Sequence, residues 1–170
     1  TVTGVQTCAL PIWFNPDIIV VGEMRGPEAN AAQEAARTGV AVVTTIHSNS
    51  CEATYRRMVS LCKRAVDMSD ETLLSYVTEA YPIVAFCKQL ENRERRLMEI
   101  QECEIRPDGT RSYRPLFQYK ITENRVEDGK FIIEGRHEQV HTISDGLAKR
   151  LLENGMPGEA LKQLRGGVNV

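Results

Sequence analysis

The sequence predicts an α/β fold: strand–helix–strand–helix units forming a parallel sheet, then an antiparallel β extension and a small helical tail. Three observations carry this. Two short β-branched runs, residues 18–21 and 40–46, are each followed by helix signals, the pattern of a parallel sheet with crossover helices. Beyond Pro82 the texture changes to apolar runs separated by turn-prone stretches, as in a meander. Near the end, Ser144 precedes leucines at helical spacing.

Taken in order, Asn15-Pro16-Asp17 is a turn signal, and Ile18-Ile19-Val20-Val21 reads as a strand buried on both faces, closed by Gly22 and Glu23. Gly26-Pro27 opens a helix with Pro at its first position. Ala29, Ala32, Ala35 and Ala36 give that helix a small-residue face, and Gly39 stops it. Residues 40–46 form a second buried strand that ends in the polar loop His47-Ser48-Asn49-Ser50. Ser50 caps a helix whose Tyr55, Met58, Val59 and Cys62 fall on one face.

Ser69 caps a further helix over residues 70–81, with two acids in its first turn and Pro82 as its stop. Strands are expected at 83–90, 98–105, 116–121 and 130–134. Turns are expected at 91–95, 107–109 and 127–129. In the tail, Leu147, Leu151 and Leu152 point inward, Gly155 ends the helix and Pro157 restarts a shorter one toward Leu164.

Composition excludes several classes. A formal net charge of -2 over 170 residues gives no electrostatic case for nucleic acid as a partner. No apolar run approaches the roughly 20 residues of a membrane-spanning helix. Cys8, Cys51, Cys62, Cys87 and Cys103 lack CxxC pairing, which argues against a zinc ribbon or disulfide framework and fits a reducing, cytoplasmic setting. Residues 2–12 resemble the in-frame translation of a short-read sequencing adapter and are set aside from fold reasoning. On that reading, the natural frame is interrupted before Trp13 and the chain starts inside a domain.

The string Asp17-Ile-Ile-Val-Val-Gly-Glu23-Met-Arg25-Gly-Pro-Glu28 carries the most chemical information. An acid at the carboxyl end of a buried strand can hold Mg²⁺, directly or through water, or polarise the water that attacks a γ-phosphate. Alternatively, Glu23 simply enters a polar loop. The next strand also ends in a polar cluster, Thr44-Thr45-Ile46-His47-Ser48-Asn49-Ser50, and adjacent parallel strands deliver both clusters to one sheet edge. His47 there can sense the phosphate or orient the water, although a single histidine after a strand is also a common structural feature.

These two boxes, in this order and spacing, resemble the Walker B and His boxes of type II/type IV secretion ATPases, with the tight-adherence (Flp) pilus assembly ATPases as the nearest branch. The likeness is strong over residues 16–57 and looser beyond. It implies the C-terminal part of a RecA-like P-loop NTPase domain. On this resemblance residues 13–82 are the ATPase core fragment, 83–143 an antiparallel extension and 144–170 a helical tail. It further implies that Glu23 is the catalytic glutamate, with His47 beside it, and that Arg25, Thr45 and Arg57 serve the nucleotide pocket. The cofactors would be ATP and Mg²⁺, with Glu23 toward the metal. The parent would be a homohexamer at the inner face of the cytoplasmic membrane, working with platform proteins of a pilus or secretion system.

The departure from the family is the phosphate loop. Gly-x-x-x-x-Gly-Lys-Ser/Thr does not occur, and the only Gly-Lys, Gly129-Lys130, precedes Phe131 in a turn. Without backbone amides to cradle phosphate or a lysine to neutralise it, the chain by itself is expected to be inactive toward ATP.

Two alternatives stand beside this reading. His137-Glu138-Gln139-Val140-His141 satisfies H-E-x-x-H, which on a helix would bind zinc with Glu138 activating water and Glu159 as a third ligand, making a zinc hydrolase. Gly135 just upstream, the strand-like run before it and the cap at Ser144 beyond it argue against a helix there. The other alternative is a non-catalytic oligomerisation module. The basic group Lys88, Arg93, Arg95 and Arg96 reads as a solvated hairpin tip.

Overall fold

The computed structural model describes residues 16–106 and 108–166. The adapter-like segment 2–12, Cys8, Asn15 of the first turn and Pro107 of the third lie outside the described residues. The chain divides after Tyr81 into two compact units.

In the first unit, β1 (Ile18–Val21) pairs in parallel with β2 (Ala41–Thr44), Ile18 opposite Ala41 and Val21 opposite Thr44. The crossover between them is α1 (Glu28–Arg37), entered through Pro27 in helical conformation and left through Gly39 at φ 102°, a geometry that favours glycine. Ala29, Ala32 and Ala35 of the predicted small-residue face are buried, and Ala36 is half-buried at its edge. α2 (Cys51–Cys62) follows; Ser50 Oγ accepts the Ala53 amide hydrogen, and Tyr55, Met58, Val59 and Cys62 are all buried. Ser69 caps α3 (Asp70–Ala80) in the same way, accepting from Thr72.

The three helices pack on one another. Two cross-links fasten them: Tyr55 donates its hydroxyl to the Tyr81 carbonyl at 2.8 Å, and Arg37 lies 3.7 Å over the Tyr76 ring while pairing with Glu79 at 3.1 Å.

The expectation that both strands are buried on both faces is corrected. Ile18, Val20 and Val43 are 58%, 72% and 58% exposed, whereas Ile19, Val21 and Val42 are half-buried. Among the described residues the sheet has two strands, with α1 packed against β2, so one face is covered and the other is bare. β2 also stops at Thr44, where its partner β1 ends.

The second unit is an antiparallel meander, β3 (Ile83–Gln89), β4 (Arg95–Ile105), β5 (Arg111–Glu127) and β6 (Lys130–Gln139), adjacent in chain order. The β5–β6 turn places Asp128 at φ 49° and Gly129 at φ 73°, the double positive φ of a type I′ hairpin. Strands β4, β5 and β6 are all longer than expected, β5 reaching 17 residues. Its far half is polar and almost wholly exposed, and it is held by the backbone ladder and by Arg125, which meets Glu123 at 2.9 Å and Glu134 at 3.2 Å. Pro115, which has no amide to donate, sits next to a register shift in the β4–β5 ladder.

The helices α4 (Asp145–Glu153) and α5 (Gly158–Arg165) close over this sheet. Leu116, Ile143, Ala148 and Leu161 are buried together, with Ile100, Leu147, Leu151 and Met156 against them. Leu152, expected inward, is 48% exposed, because the covered face of α4 centres on Leu147, Ala148 and Leu151. Ser144 caps α4 and also donates from its amide, at 2.9 Å, to the carboxylate of Glu102, which is 1% exposed on β4. A buried acid thus ties the helix start to the sheet.

Candidate functional site at the carboxyl ends of β1 and β2

Because β1 and β2 run parallel, the residues that follow them emerge at one sheet edge. Two contacts latch that edge: Thr45 Oγ1 donates to the Gly22 carbonyl at 2.6 Å, and the Met24 amide donates to the Thr45 carbonyl at 2.9 Å. Glu23 is therefore held on a fixed segment, with the buried Met24 as its anchor.

Glu23 Oε1 faces Arg25 Nε at 2.6 Å and His47 Nε2 at 3.2 Å. The atom is shielded from water, and neither N–H is aligned on it as a hydrogen bond. The Arg25 guanidinium beside it holds the Glu23 carboxyl below its ordinary range against the opposing effect of desolvation, with a smaller contribution from His47. Arg25 is pushed up reciprocally, chiefly by the same contact.

The loop that carries Arg25 is itself braced. Glu28 Oε1 accepts from the amides of Arg25 at 2.6 Å and Gly26 at 2.8 Å, and Arg64 donates to the Arg25 carbonyl at 3.0 Å. Partial burial favours protonated Glu28, but these amides, its own amide and the nearby Arg64 outweigh it and hold the carboxyl below its ordinary range.

Glu23, Arg25, Thr45 and His47 thus come together at this edge. Arg57 does not join them: it lies exposed on α2 and makes no ion pair with Glu23 among the described residues. Thr45 engages backbone in this state, as part of the latch. Glu28 and Arg64 are supports that motif reading did not assign. The acid one residue after Gly26-Pro27, at a helix start where amides lack partners, was a usable signal for Glu28. Arg64, 39 residues from Arg25, offered none.

The arrangement offers a carboxylate in its charged form beside an imidazole, a combination able to orient and deprotonate a water. It also offers a guanidinium suited to an anionic oxygen. A carboxylate oxygen without an aligned hydrogen bond fits Mg²⁺ or its bound water in donor chemistry.

The H-E-x-x-H string is not a metal centre here. His137 and Glu138 lie on β6 and His141 beyond it, so the histidines do not share a helical face. His137 Nε2 lies 2.9 Å from the Leu97 carbonyl and His141 Nδ1 2.9 Å from that of Pro115, while Glu138 pairs with Lys120 and Arg136. No cluster of metal-ligating side chains occurs among the described residues. Cys51, Cys62 and Cys103 are buried, and burial pushes the Cys62 and Cys103 thiols up to about 11. Among the described residues no helix is long and apolar enough to cross a membrane.

Comparison with known proteins gives one family. The model of the type II/IV secretion system protein family matches residues 12–158. None of the curated proteins matches the chain. Among solved structures, the VirB11 ATPase from the Brucella suis type IV secretion system, determined in complex with sulphate, aligns with 22% identity and a TM-score of 0.48. That alignment covers 51% of this chain and 28% of the VirB11 chain.

Proposed function

Because the chain belongs to the type II/IV secretion system protein family, we propose that the Glu23 edge is the hydrolytic half of an ATPase site. One observation carries the reading: Glu23 and His47 leave neighbouring parallel strands and meet at 3.2 Å. In this role Glu23 accepts a proton from, or orients, the attacking water, and His47 positions that water or senses the phosphate. In this role Arg25 meets a phosphate oxygen in place of the Glu23 carboxylate. Bound Mg²⁺ would neutralise phosphate charge, with Glu23 nearest to it.

The phosphate loop must come from sequence other than these 170 residues, since the motif does not occur in them. The proposed parent is a cytoplasmic homohexamer at the inner face of the membrane that drives Flp-type pilus assembly or secretion through platform proteins. Arg57, on the exposed face of α2, is proposed to serve the nucleotide pocket.

The test is ATP turnover in a longer protein that carries these residues together with a phosphate loop. Glu23→Gln is expected to lower kcat by at least ~100-fold while leaving nucleotide binding nearly unchanged. Turnover that survives Glu23→Gln would sink the assignment. The present chain is expected to show neither ATP binding nor turnover.

A further inference from the structure

Beyond the Glu99–Gln118 pair the sheet of the second unit forks. Residues 95–98 of β4 continue with β3 alone, as far as Gln89 opposite Arg95, while residues 119–127 of β5 continue with β6 alone, as far as Glu127 opposite Lys130. A meander puts both of these turns at one end of the sheet, so two arms leave that end, one at the β3 edge and one at the β6 edge. At a rise of about 3.4 Å per residue, the first arm runs about 14 Å past the fork and the second about 30 Å.

The arms carry opposite charge. Residues 88–96 hold four basic and two acidic side chains, and residues 123–134 hold four acidic and two basic ones. In the first arm Glu94 is held by Arg96 and Asn92, and the exposed Lys88, Arg93 and Arg95 have no carboxylate partner among the described residues. In the second arm the single guanidinium of Arg125 faces three carboxylates, those of Glu123, Glu127 and Glu134, and Asp128 adds another acid at the turn. No ion pair among the described residues joins one arm to the other.

Two further features suit the arms to each other. The turn of the basic arm holds Arg93 at φ 64°, a position that favours glycine, and fixes it through its amide to the Leu90 carbonyl and through Gln89 Nε2 to its own carbonyl at 3.1 Å. The acidic arm exposes the cross-strand pair Val126 and Phe131, at 64% and 49%, on the face opposite Arg125. An arginine can stack on such a ring as well as pair with a carboxylate.

We propose that these arms are the two halves of one interface between copies of this chain, the acidic β5–β6 arm of one copy docking on the basic β3–β4 arm of the next. The inference deepens the homo-oligomeric part of the proposed function and does not depend on its Glu23 chemistry. Because the arms stand at different edges of the sheet, the contact is head to tail and can repeat from copy to copy. An anionic membrane is a poorer occupant. It would attract the basic arm, but the acidic arm leaves the same end and reaches about 16 Å farther, holding such a surface away.

The experiment is sedimentation equilibrium of the 170-residue chain without nucleotide. Mass is expected to rise with protein concentration. Raising NaCl from about 0.05 M to about 0.5 M should weaken the association at least ~tenfold, because screening shortens to below about 5 Å. Arg93→Asn combined with Arg95→Glu should leave the chain monomeric, and so should Glu127→Lys combined with Asp128→Asn. Asparagine tolerates the positive φ of both turn positions, so each arm keeps its backbone. Mixed in equal amounts, the two variants should form a 1:1 complex, since one retains the acidic arm and the other the basic arm.

A wild-type chain that stays monomeric into the millimolar range would overturn the proposal. So would association that salt does not weaken, or a mixture that stays monomeric while each variant keeps hydrogen-exchange protection in β4 and β5. A monomeric chain that binds anionic phospholipid vesicles would also overturn it, by assigning the basic arm to a membrane. The salt series needs no variant, so it decides the question even where a substitution disturbs its arm. Failure on any of these counts leaves the Glu23 assignment standing, which ATP turnover tests separately.

Discussion

The two units solve the problem of holding a small sheet in opposite ways. In the unit ending at Tyr81, two four-residue strands carry the candidate site, but the packing is done by three helices whose Ala29, Ala32, Ala35, Tyr55, Leu61 and Leu73 are almost fully buried. In the unit from Pro82, the sheet itself is the body, with β5 running 17 residues through mostly polar sequence while two short helices cover one end. Burial therefore sets the stability of the first unit, and ladder geometry with local seating sets that of the second. Substitutions that probe each cause separately should have different characters.

The largest effect is expected in the helical cluster. Leu61 is 0% exposed, and Leu61→Ala should cost about 3 kcal/mol, read as lost hydrogen-exchange protection in α1–α3. A cost below ~0.5 kcal/mol, the size of a surface change, would mean that helix packing is not what holds this unit. Next comes the seat of a glycine in the ribbon. A Cβ on Gly135 would meet the Tyr119 ring at 2.7 Å and press on the Lys120 carbonyl, which is backbone and cannot step aside. Gly135→Ala should therefore destabilise the β5–β6 hairpin by about 2 kcal/mol, measured the same way. Joint replacement with Tyr119→Ala frees the ring but not the carbonyl, so it should recover only part of the loss.

This contrast also explains what the sequence made legible. Helices α1, α2 and α3 announced themselves through caps at Ser50 and Ser69, through Pro27 and Gly39, and through the Tyr55–Cys62 stripe, because local spacing determines a helical face. The edge that unites Glu23 with His47 was legible for a similar reason: two parallel strands joined by one crossover helix must end on the same side. The length of β5 was not, since Glu123 and Asn124 show no apolar alternation and are strand only through their partners on β6, with Thr122 falling at a register shift between them and Ile121. The bare face of β1 and β2 was misread, because a continuous apolar run records what a face is suited to bury and not which neighbours cover it. Glu102 gave no sign of its bond to Ser144, 42 residues away.

The smallest effect bears directly on whether the strand edge is a formed site. In a carbon-detected titration of the chain, the Glu23 carboxyl is expected to protonate below the ordinary 4.5, because Arg25 stabilises its charged form. A depressed folded-state value means that the pair contributes stability at every pH above the ordinary carboxylate range. That contribution is lost as pH falls through the folded value, so Glu23 itself introduces no change between pH 6 and 8. Arg25→Gln should raise the Glu23 value, and His47→Gln should raise it less, since Arg25 is the larger influence. A Glu23 that titrates at its ordinary value with Arg25 in place would be a solvated side chain. The edge would then be a place where polar residues happen to leave a sheet, and the shielding of Oε1 would have no chemical consequence.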